Sequence, residues 1–296
     1  MRIGSLAVLF CLLFNFNIFN LVSADNSNSK EQIAIIDNAV KKLNPNFDAN
    51  DATIKWMPEL SLYQVLSNKD LEVFFISKDG RYFFYGDLID LNQNDKLKRN
   101  VVDSSKKQIR KEALLKFPKN EMLIFKPDKH TWGLRKPLSI ITVFTDLNCP
   151  YGNRLHKEIE KSVLAGLEVR YLFFPRAGID SDSYKKAVSV WCSKDRKKAF
   201  ALATEGQDPQ VSECKNNPVK EQWNFARKIG IQATPSILLM DGSLIPGYME
   251  SDALIKLSLE PSPDVAPIYA IPLLSSVIAW VLEKVLPEVP DGATYH

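Results

Sequence analysis

Residues 138–145 read LSIITVFT, a continuous run dominated by β-branched side chains and free of charge. Such a run suits a central strand buried on both faces, where every side chain meets a hydrophobic neighbour. The loop Asp146-Leu147-Asn148-Cys149-Pro150 follows at once, and helical sequence runs from about Pro150 to Ala165. Proline suits the first turn of a helix, where a missing N–H costs nothing. Gly166 is the residue type that commonly closes a helix. Leu167–Phe174 (LEVRYLFF) is then the next strand. Strand, helix and strand in this length predict a βαβ unit with a parallel pair, which commits the second half of the chain to a layered α/β architecture.

The remaining elements fit the same architecture. Tyr184–Phe200 and Val219–Ile229 are predicted helices, and Asp252–Leu259 is a closing helix. Ser236–Met240 and Leu244–Tyr248 are predicted strands around the turn Asp241-Gly242. The order is that of a thioredoxin-like domain (121–260) with a helical insertion. The first half reads differently. Gln32–Leu43 places Ile33, Ile36, Ala39, Val40 and Leu43 at helical spacing. Leu60–Leu66 is a short extended stretch. Leu71–Ile76 and Arg81–Tyr85 flank Lys78-Asp79-Gly80-Arg81 and read as a β-hairpin. Residues 25–92 therefore form a small α+β module, too small to bury a large core alone, for which dimerisation is a natural remedy. Residues 93–120 are polar, with one weak stripe of Ile109, Ala113, Leu114 and Phe117, and predict a mostly solvated linker helix.

The two ends lie outside these domains. Arg2, the apolar run Leu6–Phe14 and the small residues Val22-Ser23-Ala24 make residues 1–24 a secretory signal peptide, cleaved after Ala24. A membrane anchor is the rival reading, but Asn15, Asn17 and Asn20 break the run short of the ~20 apolar residues a span requires. The chain is therefore read as exported. At the other end, Pro261, Pro263, Pro267 and Pro272 mark a linker. Residues 273–286 then form an apolar helix that would dock on its own domain, bind a protein partner or lie on a membrane.

Of the four cysteines in the chain, removal of the leader takes Cys11 and leaves Cys149, Cys192 and Cys214. An odd number in an exported protein implies one pair and one free or intermolecular thiol. Cys192 and Cys214 lie in the helical insertion. A disulfide closing that short loop would contribute roughly 3 kcal/mol, with a second redox pair as the alternative. Cys149 sits at a helix N-terminus, where the macrodipole and unpaired N–H groups favour thiolate over thiol. The thiolate is the species that attacks disulfides. Thr234-Pro235 precedes the strand Ser236–Met240. Taken with Cys149, it is expected to be a cis peptide whose exposed Thr234 backbone pairs with an extended substrate.

Other chemistries find little purchase. The formal net charge of +3 is too balanced to argue for nucleic acid, and no nucleic-acid motif is present. Three scattered histidines offer no metal-ligand spacing. His156 lies about two helical turns beyond Cys149, so packing or a surface position is expected of it rather than a role as base. No phosphate loop or Ser-His-Asp pattern is present. No cofactor and no metal are expected.

With these residues in view, the chain resembles the periplasmic disulfide isomerases of the DsbC/DsbG family. The matching stretches are ITVFTDLNCPYGNRLHKEI, VRYLFFPRAGIDSDS, VWCSKDRKKAF and IGIQATPSILLMDGSLIPGY, with LEVFFISKDGRYFFYGDLIDL in the first half. The resemblance covers about residues 30–258. It implies a V-shaped homodimer in which the N-terminal modules pair and linker helices carry two thioredoxin-like domains. Misfolded, disulfide-containing exported proteins would be the substrates. It also implies that Cys149 is the nucleophile, that Thr234 and Pro235 bind substrate with Pro150 and Tyr151 at the rim, and that Cys192 and Cys214 form the structural disulfide.

One departure bears on mechanism. The family motif is Cys-x-x-Cys, and this sequence reads Cys149-Pro150-Tyr151-Gly152. Without a second thiol the domain holds no catalytic disulfide of its own and cannot donate one. Isomerisation through Cys149 alone remains chemically complete, because a substrate thiol can displace it from a mixed disulfide. Stalled complexes would need glutathione or a periplasmic reductant. The alternatives are a chaperone-like binding dimer and a protein that forms a lasting intermolecular disulfide in a secretion or surface assembly.

Overall fold

The computed structural model describes residues 26–69, 71–91, 99–127 and 136–259. The expected leader (1–24), the helix expected over 273–286 with the linker before it, Cys11, His130 and His296 lie outside the described residues. The chain divides into two units, one holding residues up to Ser67 with Phe74–Tyr85, the other Asn68–Val73 with everything from Gly86 onward.

In the first unit, helix α1 (Asn26–Lys41) lies on an antiparallel sheet in the order β1-β2-β3-β4. These strands are β1 (Ala52–Met57), β2 (Leu62–Ser67), β3 (Val73–Ser77) and β4 (Phe83–Phe84). Helical spacing brings Ile36 and Val40 onto one face, where they bury with Phe47, Val65, Phe74 and Ile76. The Asp79-Gly80 turn joins β3 to β4 with Phe75 opposite Phe84. Gly80 has φ +71, a left-handed conformation, and a Cβ there would stand 3.0 Å from Ile35. Strand β1 is missing from the expected elements, although Ala52, Ile54 and Trp56 alternate with Thr53 and Lys55; only Met57 at its end is buried, and it is held by pairing with β2. Tyr82, Phe83, Phe84 and Tyr85 are exposed around the edge strand β4.

The second unit opens with a short pair, β5 (Ile89–Asp90) and β6 (Arg99–Asn100), and then helix α2 (Val101–Lys116). Asn100 caps α2 by accepting from the N–H groups of Val102 and Asp103. Phe117 ends it in an extended conformation ahead of Pro118, as a residue before proline prefers. The weak stripe expected on the linker helix (93–120) lies on the face that this helix packs. Ala113, Leu114 and Phe117 pack into the second unit, and Phe117 meets Phe225 at 4.5 Å between ring centroids. Arg110 is buried, and its Nε donates to the carbonyl of Ile229 at 3.2 Å. Its charge faces the C-terminal end of a helix, where the dipole is favourable.

The core of this unit is a five-stranded sheet in the order β11-β10-β8-β9-β7. Its strands are β7 (Leu123–Phe125), β8 (Ser139–Thr145), β9 (Leu167–Phe173), β10 (Ser236–Leu239) and β11 (Leu244–Pro246). Strands β8 and β9 are parallel and the other pairings antiparallel. The two-residue period of β8 sends Ile141 and Val143 into one core and Phe144 into another on the opposite face. Two expected helices are each broken in two. The segment 150–165 becomes α3 (Pro150–Lys157) and α4 (Ile159–Leu164). They part at Glu158, whose carbonyl accepts from Ser251 Oγ and whose carboxylate accepts from the Tyr248 hydroxyl and the Ser251 N–H. The segment 184–200 becomes α5 (Asp182–Cys192) and α6 (Arg196–Thr204), because Asp195 caps a new helix by accepting from the Lys198 N–H. Helices α7 (Val219–Lys228) and α8 (Ser251–Leu259) complete the unit. Among the described residues, no helix is long and apolar enough to cross a membrane.

Candidate active site

Cys149 is the residue at which the chain leaves the turn after β8 and enters α3. Its backbone is extended (φ −95°, ψ 114°), and Pro150 takes the first helical turn. Its N–H donates to Asp146 O at 2.8 Å, and its carbonyl accepts the first helical bond from Asn153 at 3.0 Å. The thiol does not cap the helix. It donates to the carbonyl of Thr234, with Sγ 3.1 Å from the oxygen. The register explains how residues so distant in the chain meet. Ser236 pairs with Phe144, so the start of β10 lies beside the end of β8.

The peptide bond Thr234–Pro235 is cis. Pro235 O accepts from the Gly247 N–H at 2.8 Å, which joins this turn to the end of β11. Cys149 is 2% exposed, whereas Tyr151, the residue expected at the rim, is 61% exposed and Pro150 beside it is also exposed. The hydroxyl oxygen of Thr234 is buried and meets no hydrogen-bonding group among the described residues.

Gly152, the position at which the motif departs from Cys-x-x-Cys, is buried in the first turn of α3. A Cβ placed there would stand 3.7 Å from Cys149 Cβ and 2.7 Å from Thr145 Oγ1. The first distance lies in the range of a disulfide. The backbone keeps dithiol geometry although the second thiol is absent.

Asp146 is the site residue that reading the sequence passed over. Its carboxylate is buried and receives four donors. The Asn148 N–H and Ser183 Oγ reach Oδ1, and the N–H and Nε of Arg176 reach Oδ2 at 2.9 and 3.3 Å. Burial pushes this carboxyl upward, but the bonds from Ser183, Arg176 and Asn148 outweigh it and hold the group below the usual carboxylate range. The available signal was a lone Asp at the end of a buried strand, where a carboxylate needs partners. On the same side, Lys186 of α5 donates to Asn148 Oδ1 at 3.2 Å and pairs with Asp208 at 2.6 Å.

The other predicted residues lie apart from this cluster. Cys192 and Cys214 form a disulfide at the far end of α5. Ser183 in the first turn of that helix is the residue that reaches Asp146. Cys192 is nine residues further on, about 13 Å along the axis at 1.5 Å per residue. His156 packs among the rings of Phe125, Tyr171 and Phe200, and its Nδ1 lies 3.3 Å from the Tyr171 hydroxyl. Burial pushes the imidazole down to about 4. Among the described residues, no cluster of three or more His, Cys, Asp or Glu side chains forms a metal site.

Comparisons with known proteins cover most of the chain. Residues 22–102 match the model of a disulfide bond isomerase protein N-terminal domain. Residues 129–259 match that of a thioredoxin-like domain. The thiol:disulfide interchange protein DsbC of Dickeya dadantii is 33% identical over 214 residues, 72% of this chain and 82% of that protein. The protein of the same name from Haemophilus influenzae is 31% identical over 225 residues, 74% of this chain and 89% of that one. A disulfide interchange protein from Neisseria gonorrhoeae, known as a crystal structure, is 25% identical with a TM-score of 0.42, covering 49% of this chain and all of that one. A free cysteine at a helix N-terminus, facing the carbonyl before a cis-proline, thus belongs to a chain related over most of its length to proteins of one kind: this protein is a member of the DsbC family of thiol:disulfide interchange proteins.

Proposed function

We propose that this protein rearranges disulfides in misfolded exported proteins, in the periplasm, through the single thiol of Cys149. The observation that carries the reading is the free thiol of Cys149 at the start of α3, paired with the Thr234 carbonyl. The Cys149 thiolate attacks one sulfur of a substrate disulfide. The substrate S–S bond breaks as the Sγ–S bond forms, and the other substrate sulfur leaves as thiolate. A different substrate thiolate then attacks the mixed disulfide and restores Cys149. Nothing is oxidised or reduced overall, so no second protein thiol is required. Cys192 and Cys214 are engaged with each other and stand off by the length of α5, so a complex that stalls is released by an external thiol such as glutathione.

Homodimerisation through the N-terminal module is part of the same reading. Its support is the exposed run Tyr82–Tyr85 beside an edge strand, a feature that a protein otherwise keeps covered. Extended substrate segments would pass Pro150, Tyr151 and Pro235 and pair with the backbone at Thr234, which is not exposed as the sequence suggested but buried, with its carbonyl accepting from Cys149.

The test is refolding of a scrambled-disulfide substrate in glutathione buffer. Recovery of activity should rise above buffer with the native protein and return to the buffer rate with Cys149→Ser. If both proteins suppress aggregation equally and neither speeds recovery, the interchange reading fails and a chaperone-like binding dimer stands in its place. The absence of a thiol at Gly152 favours that second reading.

A further inference from the structure

The turn that presents Cys149 depends on one side chain. Asp146 O closes the turn onto the Cys149 N–H, and Asp146 Oδ1 accepts from the Asn148 N–H between them. The same carboxylate joins this turn to the segment after β9 through Arg176 and to α5 through Ser183. Asp146 is 4% exposed, so its charge is poorly screened by water. A buried negative charge three residues from a nucleophilic sulfur opposes the negative charge that the sulfur must carry to attack. The fold places a cation on it: Arg176 donates to Oδ2 through both its backbone N–H and Nε, and its side chain is 49% exposed. The other charges held on this turn, Lys186 at Asn148 and Asp208 on Lys186, offset each other.

We infer that Asp146 and Arg176 are a positioning pair for the nucleophile: Asp146 holds the turn that presents Cys149, and Arg176 offsets the negative charge which that arrangement places in the turn. The importance of the pair to turnover rests on the proposed interchange chemistry; its effect on the potential at the sulfur does not. In the attack step the thiolate charge passes from Cys149 Sγ to the leaving substrate sulfur, so the potential at Sγ enters the barrier directly.

The experiment measures alkylation of Cys149 in the full-length protein at one pH and one ionic strength. It uses neutral iodoacetamide and anionic iodoacetate, with Cys149 identified by peptide mass. The ratio of the two rates reports the potential at Sγ, because changes in thiolate fraction and access cancel between reagents of similar size. Asp146→Asn keeps the shape and one acceptor oxygen but removes the charge. It should raise the iodoacetate to iodoacetamide ratio between about two- and ten-fold, as expected for one charge within about 10 Å. Arg176→Gln should lower the ratio by a similar factor, and the double variant should return close to the native value. Loss of packing alone would move both single variants in one direction, and that result overturns the inference. Should Asp146→Asn fail to fold, Arg176→Gln and Arg176→Glu at the half-exposed position still decide: a stepwise fall supports the pair, and an unchanged ratio in both overturns it. The scrambled-substrate assay run beside these measurements separates the two ideas, since a protein with no interchange activity would still show the shifts in ratio.

Discussion

A Cβ at Gly152 would lie 3.7 Å from Cys149 Cβ, the separation found across a disulfide. The obstacle to a second thiol is therefore one hydroxyl, Thr145 Oγ1, 2.7 Å from that Cβ. Thr145 is buried, so its side chain must shift for a thiol to be seated there. Gly152→Cys should give a protein in which the introduced thiol closes a disulfide with Cys149 in oxidising glutathione buffer, with a mass loss of about 2 Da and two fewer titratable thiols. Two free thiols persisting after oxidation would mean that the first turn of α3 differs from the geometry described.

His156 should leave a signature in the acid stability of the second unit. Its folded-state value is depressed by burial to about 4, below its ordinary 6.5. Above 6.5 the imidazole is neutral in both folded and unfolded chains and contributes no pH dependence. Between about 6.5 and 4 mainly the unfolded chain binds the proton, so stability falls as pH falls, by about 3 kcal/mol in all. Asp146 acts in a separate window. Its carboxyl is depressed, so the stability it contributes is present above the ordinary carboxylate value and is lost as pH drops below about 4. Urea unfolding of His156→Gln at pH 7 and pH 4.5 should show a smaller difference than the native protein. An equal difference would place the proton elsewhere.

The docking of α2 can be tested at Gly242 in the turn between β10 and β11. Gly242 has φ +89, and a Cβ there would lie 1.9 Å from the backbone oxygen of Lys107. Gly242→Ala must strain the turn and displace the helix, at a cost of about 3 kcal/mol or more. Denaturant unfolding with hydrogen exchange should show the loss, with reduced protection first in Lys107 and its neighbours. A cost below about 1 kcal/mol would mean that α2 is loosely held.

The disulfide Cys192–Cys214 closes a loop with a sequence separation of 22 residues. By chain entropy, opening it should cost roughly 3 kcal/mol. Cys192→Ala with Cys214→Ala should therefore unfold at lower denaturant, yet below that transition Cys149 should react with disulfides at the native rate. A Cys149 rate that collapses while the fold persists would give the second pair a redox role.

Features set by adjacent residues were legible in the sequence. The β-branched run Leu138–Thr145, Pro150 in the first turn of α3, and Gly166 with φ +93 after α4 each encode their conformation locally. Burial of alternate residues, a fixed φ and a missing Cβ need no distant partner. What the tertiary structure alone decided was where each polar group found its partner. Cys149 meets a carbonyl 85 residues away, and Arg110 one 119 residues away. Glu158 breaks a helix that its own periodicity would continue, because Ser251, 93 residues on, takes its carbonyl. Asp146 becomes a buried junction because β9 delivers Arg176 to it. A donor or acceptor in a linear chain carries no record of which group packing will bring within 3 Å of it, and at such pairings a turn ending in cysteine becomes a site.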